Sequence, residues 1–406
     1  MTLPTSPIRS VTTIHQKFYN ASLPPITLEH IDLASLTTKS VSDLVATLGD
    51  GARLGVAASY GEKCVLEALA FSTESRVLLI TMNGTSKPAK REKQILTNEL
   101  LCDISLEKHG FFMERLAAAL YLDLGLYIRH AFDITSDGDK RGSMAAYKGV
   151  LARARAQNSL DESIVEFIFA EQPFIVSRKS EFALRAWACY VAVQAFPDKP
   201  GAIDTSAKDF RARSTYQPCL EWMCKCVRDA DRLDSLKPHY TVNDISTVIN
   251  IKKGAVDIQC TRFKTRIRQS DSQVRFMFHV PRASCLIGEI RGHVSKVQGK
   301  AVKVTPQTQF AATAKIRSVV TIGKDQLTGA EASRADLILN AFKGGESLLS
   351  SPFVRKIFFP GHPLHALKWP KLPTTQPEIV FTYRDLNESQ RKAVERCLSN
   401  KEEDRH

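Results

Sequence analysis

Basic side chains recur at every second position in one part of the chain, a spacing that suits the neutralisation of phosphate groups. Arg262, Lys264, Arg266 and Arg268 lie two residues apart, so on an extended strand they point to one face. Segment 252–317 holds 14 Lys and Arg against three acidic residues, which is most of the chain's formal charge of +13. A concentrated positive field attracts phosphate backbones. The segment is therefore predicted to contact RNA or single-stranded DNA, and the candidate binding residues are Lys252, Lys253, Arg262, Lys264, Arg266, Arg268, Arg275, Arg291, Lys296, Lys300 and Lys303.

The elements that must position these cations are short strands. Between residues 237 and 345, apolar residues alternate with basic or polar ones, and Gly, Ser or Asp turns separate the runs. This pattern predicts five or six antiparallel strands that close into a small β-barrel with a basic outer face. A purely structural interpretation also exists, because edge strands carry Lys and Arg to prevent aggregation.

The preceding region, 41–236, is predicted to be an α/β domain. Three short β-type runs at 53–59, 64–72 and 76–82 suggest an antiparallel meander, and segments with helical spacing and one more strand at 128–134 follow. Residues 1–40 are predicted to be a flexible tail. Beyond the barrel, a Pro-rich connector at 346–382 leads to a helix within 383–406.

Cysteine usage and hydropathy indicate the compartment. Nine cysteines stand mostly in apolar runs and suggest reduced thiols of an intracellular protein, nuclear or cytoplasmic. Cys219, Cys224 and Cys226 have poor zinc-ligand spacing and are predicted to lie on a helix, so no metal is assigned to them. No stretch predicts a signal peptide or a membrane span.

The segment from Asn387 to Gln390 has the spacing of a helix capping box. The longer run LNESQRKAV around it resembles the entry motif of superfamily 1 helicases, the family of the nonsense-mediated-decay RNA helicase. That resemblance implies that Gln390 reads the adenine of a nucleotide. The sequence has no G-x-x-x-x-G-K-[ST] loop. We therefore expect a chain truncated before the P-loop, with no cofactor of its own; ATP and Mg would apply only with a helicase core downstream.

Three segments of the α/β region resemble a DEDD-type 3′–5′ exonuclease of the ribonuclease D kind. They are residues 53–82, KHGFFMERLAAALYLDLGLYIRHAFDI at 108–134 and ALRAWACYVAVQAF at 183–196. The resemblance implies a ribonuclease H-like fold and, in active members, four carboxylates that hold two metal ions. The predicted fold class is thus a ribonuclease H-like α/β domain followed by a small antiparallel β-barrel and a C-terminal helix.

The sequence departs from the exonuclease pattern where the metal ligands should stand. The matching positions are occupied by Ala57, Ser59, Leu116 and Ala188, none of which is a carboxylate. Without oxygen ligands no pair of divalent cations is held, so we predict an inactive nuclease fold with no catalytic residue and no metal. The predicted function is nucleic-acid binding, with a further protein partner at the nuclease-like domain.

Two alternatives stay open on sequence alone. One is an active exonuclease with relocated ligands such as Glu114, Asp123 and Asp133. The other is a protein-interaction scaffold, in which apolar helices near Trp187 and Trp222 dock a partner and the basic strands only maintain solubility.

Overall fold

A computed structural model describes most of the chain as two β-sheets with helices. The described residues are 9–19, 23–48, 52–82, 90–134, 144–154, 160–169, 174–194, 202–205, 217–237, 240–243, 245–252, 255–261, 267, 273–279, 287–308, 315–322, 329–344 and 387–392. Within these ranges, no helix combines the length and the apolar character needed to cross a membrane.

The first sheet is mixed and has seven strands among the described residues. These are β1 (Arg9–Ile14), β2 (Ile26–Asp32), β3 (Arg53–Tyr60), β4 (Leu66–Ser72), β5 (Arg76–Thr81), β6 (Glu107–Gly110) and β7 (Ala131–Asp133). Their spatial order is β1-β2-β5-β4-β3-β6-β7. The meander β3–β5 is antiparallel as predicted, whereas β6 pairs parallel with β3 and β7 parallel with β6. This sheet fits the ribonuclease H-like α/β fold that the resemblance implied.

Helices cover both faces of the first sheet, as a sheet with parallel strands requires. They are α1 (Thr38–Val45), α2 (Lys90–Ile95), α3 (Met113–Ala119), α4 (Met144–Ala154), α5 (Glu162–Phe169), α6 (Lys179–Gln194) and α7 (Gln217–Ser235). Residues of α1, α3 and α7 share one apolar core with one face of the sheet. Residues of α4, α5 and α6 share a second core with the opposite face. The domain therefore has three layers.

Helix α6 lies directly on β3 because Gly55 leaves no side chain between them. A Cβ atom at Gly55 would stand 2.1 Å from the Ala186 carbonyl oxygen and 2.4 Å from the Tyr190 backbone nitrogen. From Phe182 to Val193, eleven of the twelve residues of the helix are buried and only Arg185 is not, which is typical of a helix enclosed between layers. This close approach fixes where the face of β3 meets α6.

The second sheet is antiparallel and also has seven strands in the described part of the chain. They are β8 (Tyr240–Asn243), β9 (Ile245–Lys252), β10 (Ala255–Cys260), β11 (Gln273–His279), β12 (Ile287–Gln298), β13 (Ala301–Pro306) and β14 (Lys315–Ile322). Their order is β8-β14-β11-β12-β13-β10-β9. β8 and β9 form opposite edges although one residue separates them, so the sheet must curl until its edges approach each other. This curvature is compatible with the predicted barrel, although the strand number exceeds the predicted five or six.

Along the chain, the second sheet is inserted between two helices that pack on the core of the first sheet. Helix α7 precedes it, and α8 (Gly329–Phe342) follows it and contributes Leu339 and Phe342 to the core shared with α7. At the junction, the Lys237 ammonium lies 3.0 Å from the Asp234 carboxylate and 3.1 Å from that of Glu331. The prediction that residues up to 345 belong to the barrel is thus corrected, because α8 packs on the first core.

The predicted flexible tail at residues 1–40 is also corrected. β1 and β2 pair antiparallel, and β2 pairs parallel with β5, so both belong to the first sheet. β2 carries Glu29, which is 0% exposed and accepts from Arg76 at 2.7 Å and from the Ser40 hydroxyl at 3.0 Å. Because polar residues of β2 such as Glu29 are buried with internal partners, its sequence lacks the alternation of apolar and polar residues that predicts a strand. The connector 346–382 lies outside the described residues.

Candidate functional site

The order of the first sheet places a site at the carboxyl end of β3. β3 continues to β4 on one side and, through a crossover, lies beside β6 on the other. In open sheets with parallel strands, ligands bind outside the carboxyl ends where the strand order reverses. β3 ends at Tyr60 and β6 ends at Gly110, so this edge is where a site is expected.

The structure brings three of the four degenerate exonuclease positions to one face of the sheet. Ala57 and Ala188 belong to the core between β3 and α6, and Ser59 lies two residues beyond Ala57 on the same face of β3. Leu116 lies in the core on the opposite face. Leu116, which matches the exonuclease pattern in sequence, is therefore a core residue of this fold. The turn at Phe112, with φ 55°, starts α3 on the other side of the sheet.

The side chains at these positions do not fit a pair of magnesium ions. Ala57, Leu116 and Ala188 are apolar, and Ser59 offers one neutral hydroxyl, whereas Mg²⁺ in such sites is held by carboxylates. Among the residues that the structure describes, no three His, Cys, Asp or Glu side chains are close enough together to hold a metal ion. No catalytic step through a metal is therefore derived for this chain.

Two of the three acids proposed as relocated ligands, Asp123 and Asp133, have other partners. Asp123 binds Arg228 through both carboxylate oxygens, each at 2.7 Å, and also accepts from the Leu66 backbone nitrogen at 3.0 Å. Asp133 accepts from the Met113 backbone nitrogen at 2.9 Å and so caps α3. Bidentate pairs and caps of this kind position helices. Asp123 and Asp133 thus have structural roles in the described fold.

Two titratable groups near this edge are held in their neutral forms. Burial raises the pKa of the Cys189 thiol, next to Ala188, to about 12. Burial likewise raises the pKa of the Tyr60 phenol, although the Arg115 guanidinium 5.0 Å from the ring opposes the shift. A thiol or phenol that stays protonated near neutral pH is a poor nucleophile. Burial therefore keeps both groups protonated near neutral pH.

Aromatic rings fill the space beside the end of β6. Phe111 contacts Tyr147 with ring centroids 4.6 Å apart and Phe169 at 5.7 Å, and Tyr147 stacks on Phe169 at 4.6 Å. Such a cluster stabilises the contact of α4 and α5 with the sheet. The surface beside the carboxyl end of β6 is therefore packed with aromatic rings.

The second sheet carries cations in opposing pairs on the face away from its apolar core. Arg275 on β11 is opposite Arg291 on β12, and Lys296 on β12 is opposite Lys303 on β13. Directly opposite residues of an antiparallel pair lie on the same face, and like charges there are destabilising. The neighbouring residues Val274, Phe276, Val302 and Val304 are buried in the core. We name Arg275, Arg291, Lys296 and Lys303 the basic ladder.

The surroundings of the basic ladder are predominantly but not wholly positive. Asp257 on β10 lies opposite Lys303, and it compensates part of the charge of that lysine. Lys300, in the turn after β12, donates to the Thr261 carbonyl at 2.9 Å. Four of the predicted cations, Lys264, Arg266, Arg268 and Arg262, lie outside the described residues, as does Lys253, and only the backbone of Lys252 is described. Their contribution to binding remains a prediction.

The capping box predicted near the C-terminus is confirmed. The Asn387 backbone nitrogen donates to the Gln390 side-chain oxygen at 3.0 Å, and the Gln390 backbone nitrogen donates to the Asn387 side-chain oxygen at 2.9 Å. The Gln390 side chain thus has a local structural role in this segment. Adenine binding by Gln390 stays a prediction.

The three clustered cysteines lie on α7, as predicted. Cys219 and Cys224 are 3% and 0% exposed and contribute to the core, and burial raises the pKa of the Cys219 thiol to about 11. Their side chains pack against apolar neighbours. The helical interpretation of this cluster is therefore confirmed.

No family model matches this chain, and no curated protein matches it. Comparison with solved structures found 3′–5′ exonuclease domains. The EXO domain of Nibbler from Aedes aegypti is 14% identical, covers 39% of this chain and 81% of that domain, and has a TM-score of 0.29. RNase D of Trypanosoma brucei is 12% identical with coverages of 50% and 72% and a TM-score of 0.31. NrnC of Brucella melitensis is 12% identical with coverages of 46% and 86% and a TM-score of 0.24.

Because these TM-scores are below 0.5, the assignment of the fold rests on the strand order and strand directions described above. The trypanosomal enzyme has also been solved with RNA U12, and NrnC with bound Mg²⁺. The helicase resemblance stays a prediction.

Proposed function

We propose that this protein binds single-stranded nucleic acid through the basic ladder of its second sheet and does not hydrolyse the bound strand. The single observation that carries the proposal is the pairing of like charges across neighbouring strands, Arg275 with Arg291 and Lys296 with Lys303. Like charges at directly opposite positions, as at Lys296 and Lys303, weaken the isolated sheet. Their cost is offset when a phosphate backbone lies between the cations.

The layout of the chain supports a binding role for the second sheet. The ladder is on the face opposite the buried core; Arg291, Lys296 and Lys303 are exposed and Arg275 is half-buried. The sheet is connected at both ends to helices of the first core. An inserted sheet of this kind can present a bound strand without changing the fold that carries it.

The absence of hydrolysis is proposed from the degenerate positions. Ala57, Ser59 and Ala188 occupy the face of the sheet where the exonuclease resemblance would place metal ligands, and Asp123 and Asp133 have structural partners. The nuclease-like domain then serves as a scaffold and a further binding surface. Binding should be governed by phosphate contacts and depend little on base sequence.

The salt dependence of binding tests this proposal. Neutralising one phosphate of a single strand contributes about −0.7 to the slope of log affinity against log salt, so the four cations of the ladder predict a slope of about −3. We expect this slope, or a steeper one, from fluorescence anisotropy of a labelled 20-mer with the full chain between 50 and 300 mM NaCl. Saturable binding with a slope near zero would refute a phosphate-based interface.

A further inference from the structure

A small cleft lies on the α6 face of the first sheet, next to the end of β3. Its lining residues are Ser59, Phe174, Ile175, Arg178, Glu181, Phe182 and Arg185, and its volume is about 20 Å³. A cavity needs roughly 10–15 Å³ by this kind of measure to admit a water molecule. The cleft therefore accepts one group of about the size of a water molecule or a hydroxyl.

Two oxygen atoms of the cleft lack partners. Ser59 is 3% exposed, and its Oγ atom is buried without a hydrogen bond to any described residue. The Oε2 atom of the Glu181 carboxylate is likewise buried without a hydrogen bond to any described residue. Buried polar groups are nearly always hydrogen-bonded. These two atoms therefore indicate a guest that satisfies both of them.

Guanidinium groups line the same cleft. Arg178 lies over the ring of Phe167, 4.6 Å from its centroid. Arg185 donates from Nε to the Ile168 carbonyl oxygen, which fixes the direction of its guanidinium group. Guanidinium groups bind phosphate oxygens through several parallel hydrogen bonds. The cleft thus combines a hydroxyl-sized cavity with cations suited to a phosphate.

A hydroxyl group suits these two oxygen atoms. A carboxylate oxygen only accepts hydrogen bonds, whereas a serine hydroxyl donates or accepts, so one hydroxyl that donates to Glu181 and accepts from Ser59 satisfies both. A ribose hydroxyl is such a group, and in a strand its neighbouring atoms belong to a phosphate. Deoxyribose within a strand lacks this hydroxyl, which is how proteins distinguish RNA from DNA.

We propose that the cleft binds a ribose 2′-hydroxyl between Ser59 and Glu181, with the adjacent phosphate at Arg178 and Arg185, and so gives the protein a metal-independent preference for RNA. This inference rests on the proposed nucleic-acid binding and assigns its substrate class. It needs no divalent cation, because guanidinium groups and a hydroxyl replace the metal-held phosphate contacts of an active exonuclease.

The test compares three oligonucleotides of one sequence, as RNA, DNA and 2′-O-methyl RNA, binding to the full chain in EDTA. We expect RNA to bind about tenfold more tightly than DNA, as the loss of one hydrogen bond to a charged group implies. The 2′-O-methyl strand should bind as weakly as DNA, because it has no donor hydrogen and its methyl group exceeds the cavity. Ser59→Ala and Glu181→Leu should each reduce the preference, while Glu221→Leu on α7 serves as the control and should retain it.

Three other outcomes of this binding experiment would contradict the cleft assignment, the proposed function or both. Equal binding of RNA and DNA with the expected salt slope would overturn this inference and leave the proposed function standing. A preference for RNA that both cleft variants retain, with unchanged thermal unfolding, would place the recognition elsewhere and overturn the assignment to the cleft. Failure to bind any of the three strands would contradict the proposed function and this inference together.

Discussion

Replacement of Lys296 by Glu is expected to weaken binding of a single strand and at the same time to stabilise the protein. In the native chain Lys296 lies opposite Lys303, and like charges at such a position repel each other. The new carboxylate would instead form an attractive cross-strand pair with Lys303. The substitution would also remove one phosphate contact and introduce a negative charge, so we expect a loss of affinity of about tenfold at low salt.

The two opposite effects separate a binding role from a solubility role. If the basic strands only keep the protein soluble, the Lys296→Glu variant should unfold at a higher temperature with no change in nucleic-acid affinity. The matched control is Lys39→Glu on α1, which replaces an exposed lysine beside the first sheet. It changes the net charge of the protein by the same amount as Lys296→Glu. Equal losses of affinity in both variants would show a general effect of net charge and would argue against the basic ladder.

Replacement of Gly55 by Ala should be strongly destabilising. The new Cβ atom would stand 2.1 Å from the Ala186 carbonyl oxygen and 2.4 Å from the Tyr190 backbone nitrogen. These are backbone atoms of α6, so the overlap is relieved only if the helix moves away from β3 and the core on that face loosens. We expect a loss of about 3 kcal/mol or more in the free energy of unfolding, at or above the upper range for overpacked cores.

Gly149 on α4 provides the matched control for this substitution. A Cβ atom at Gly149 meets no atom within 4 Å, and replacement of a helical Gly by Ala gains about 1 kcal/mol from helix propensity. Urea denaturation of both variants gives the comparison. If Gly55→Ala is tolerated as well as Gly149→Ala, α6 does not lie on β3 as described.

The sequence predicted the parts of the first sheet whose residues are adjacent in the chain. The meander β3–β5 and helix α6 could be identified from short apolar runs and turn residues. β6 could not, because its four residues, Glu-Lys-His-Gly, are polar although they are buried. The buried Glu107 binds His109 of the same strand at 3.2 Å and Arg53 of β3 at 3.3 Å. A partner on another strand, such as Arg53, cannot be inferred from local spacing.

Contacts between distant segments account for the other differences. Helix α8 packs on α7 although the whole second sheet separates them in sequence, so it was assigned to the barrel. Leu116 matches the exonuclease pattern by its position in the sequence, whereas the left-handed residue Phe112 turns α3 so that Leu116 lies in the core on the opposite face. Such a backbone conformation in an aromatic residue has no reliable sequence signal.

The basic ladder was predictable in kind but not in detail. Alternation of apolar and basic residues correctly placed Val302 and Val304 in the core and Lys303 outside. The pairing of Lys296 with Lys303 depends on a bulge in β12 between Val294 and Lys296, which shifts the register by one residue. The cleft at Ser59 was not predicted, because Glu181 and Arg185 approach β3 only in the folded chain.

The most direct test of the central claim is to incubate a 5′-labelled single-stranded RNA with excess full-length protein in Mg²⁺ or Mn²⁺ and to measure both retention and strand length. Binding without hydrolysis predicts that the strand is retained at low salt, is released at high salt and keeps its full length. A ladder of products shortened from the 3′ end, formed by the native chain and abolished by Glu114→Gln, would contradict the account and show an active exonuclease with relocated ligands.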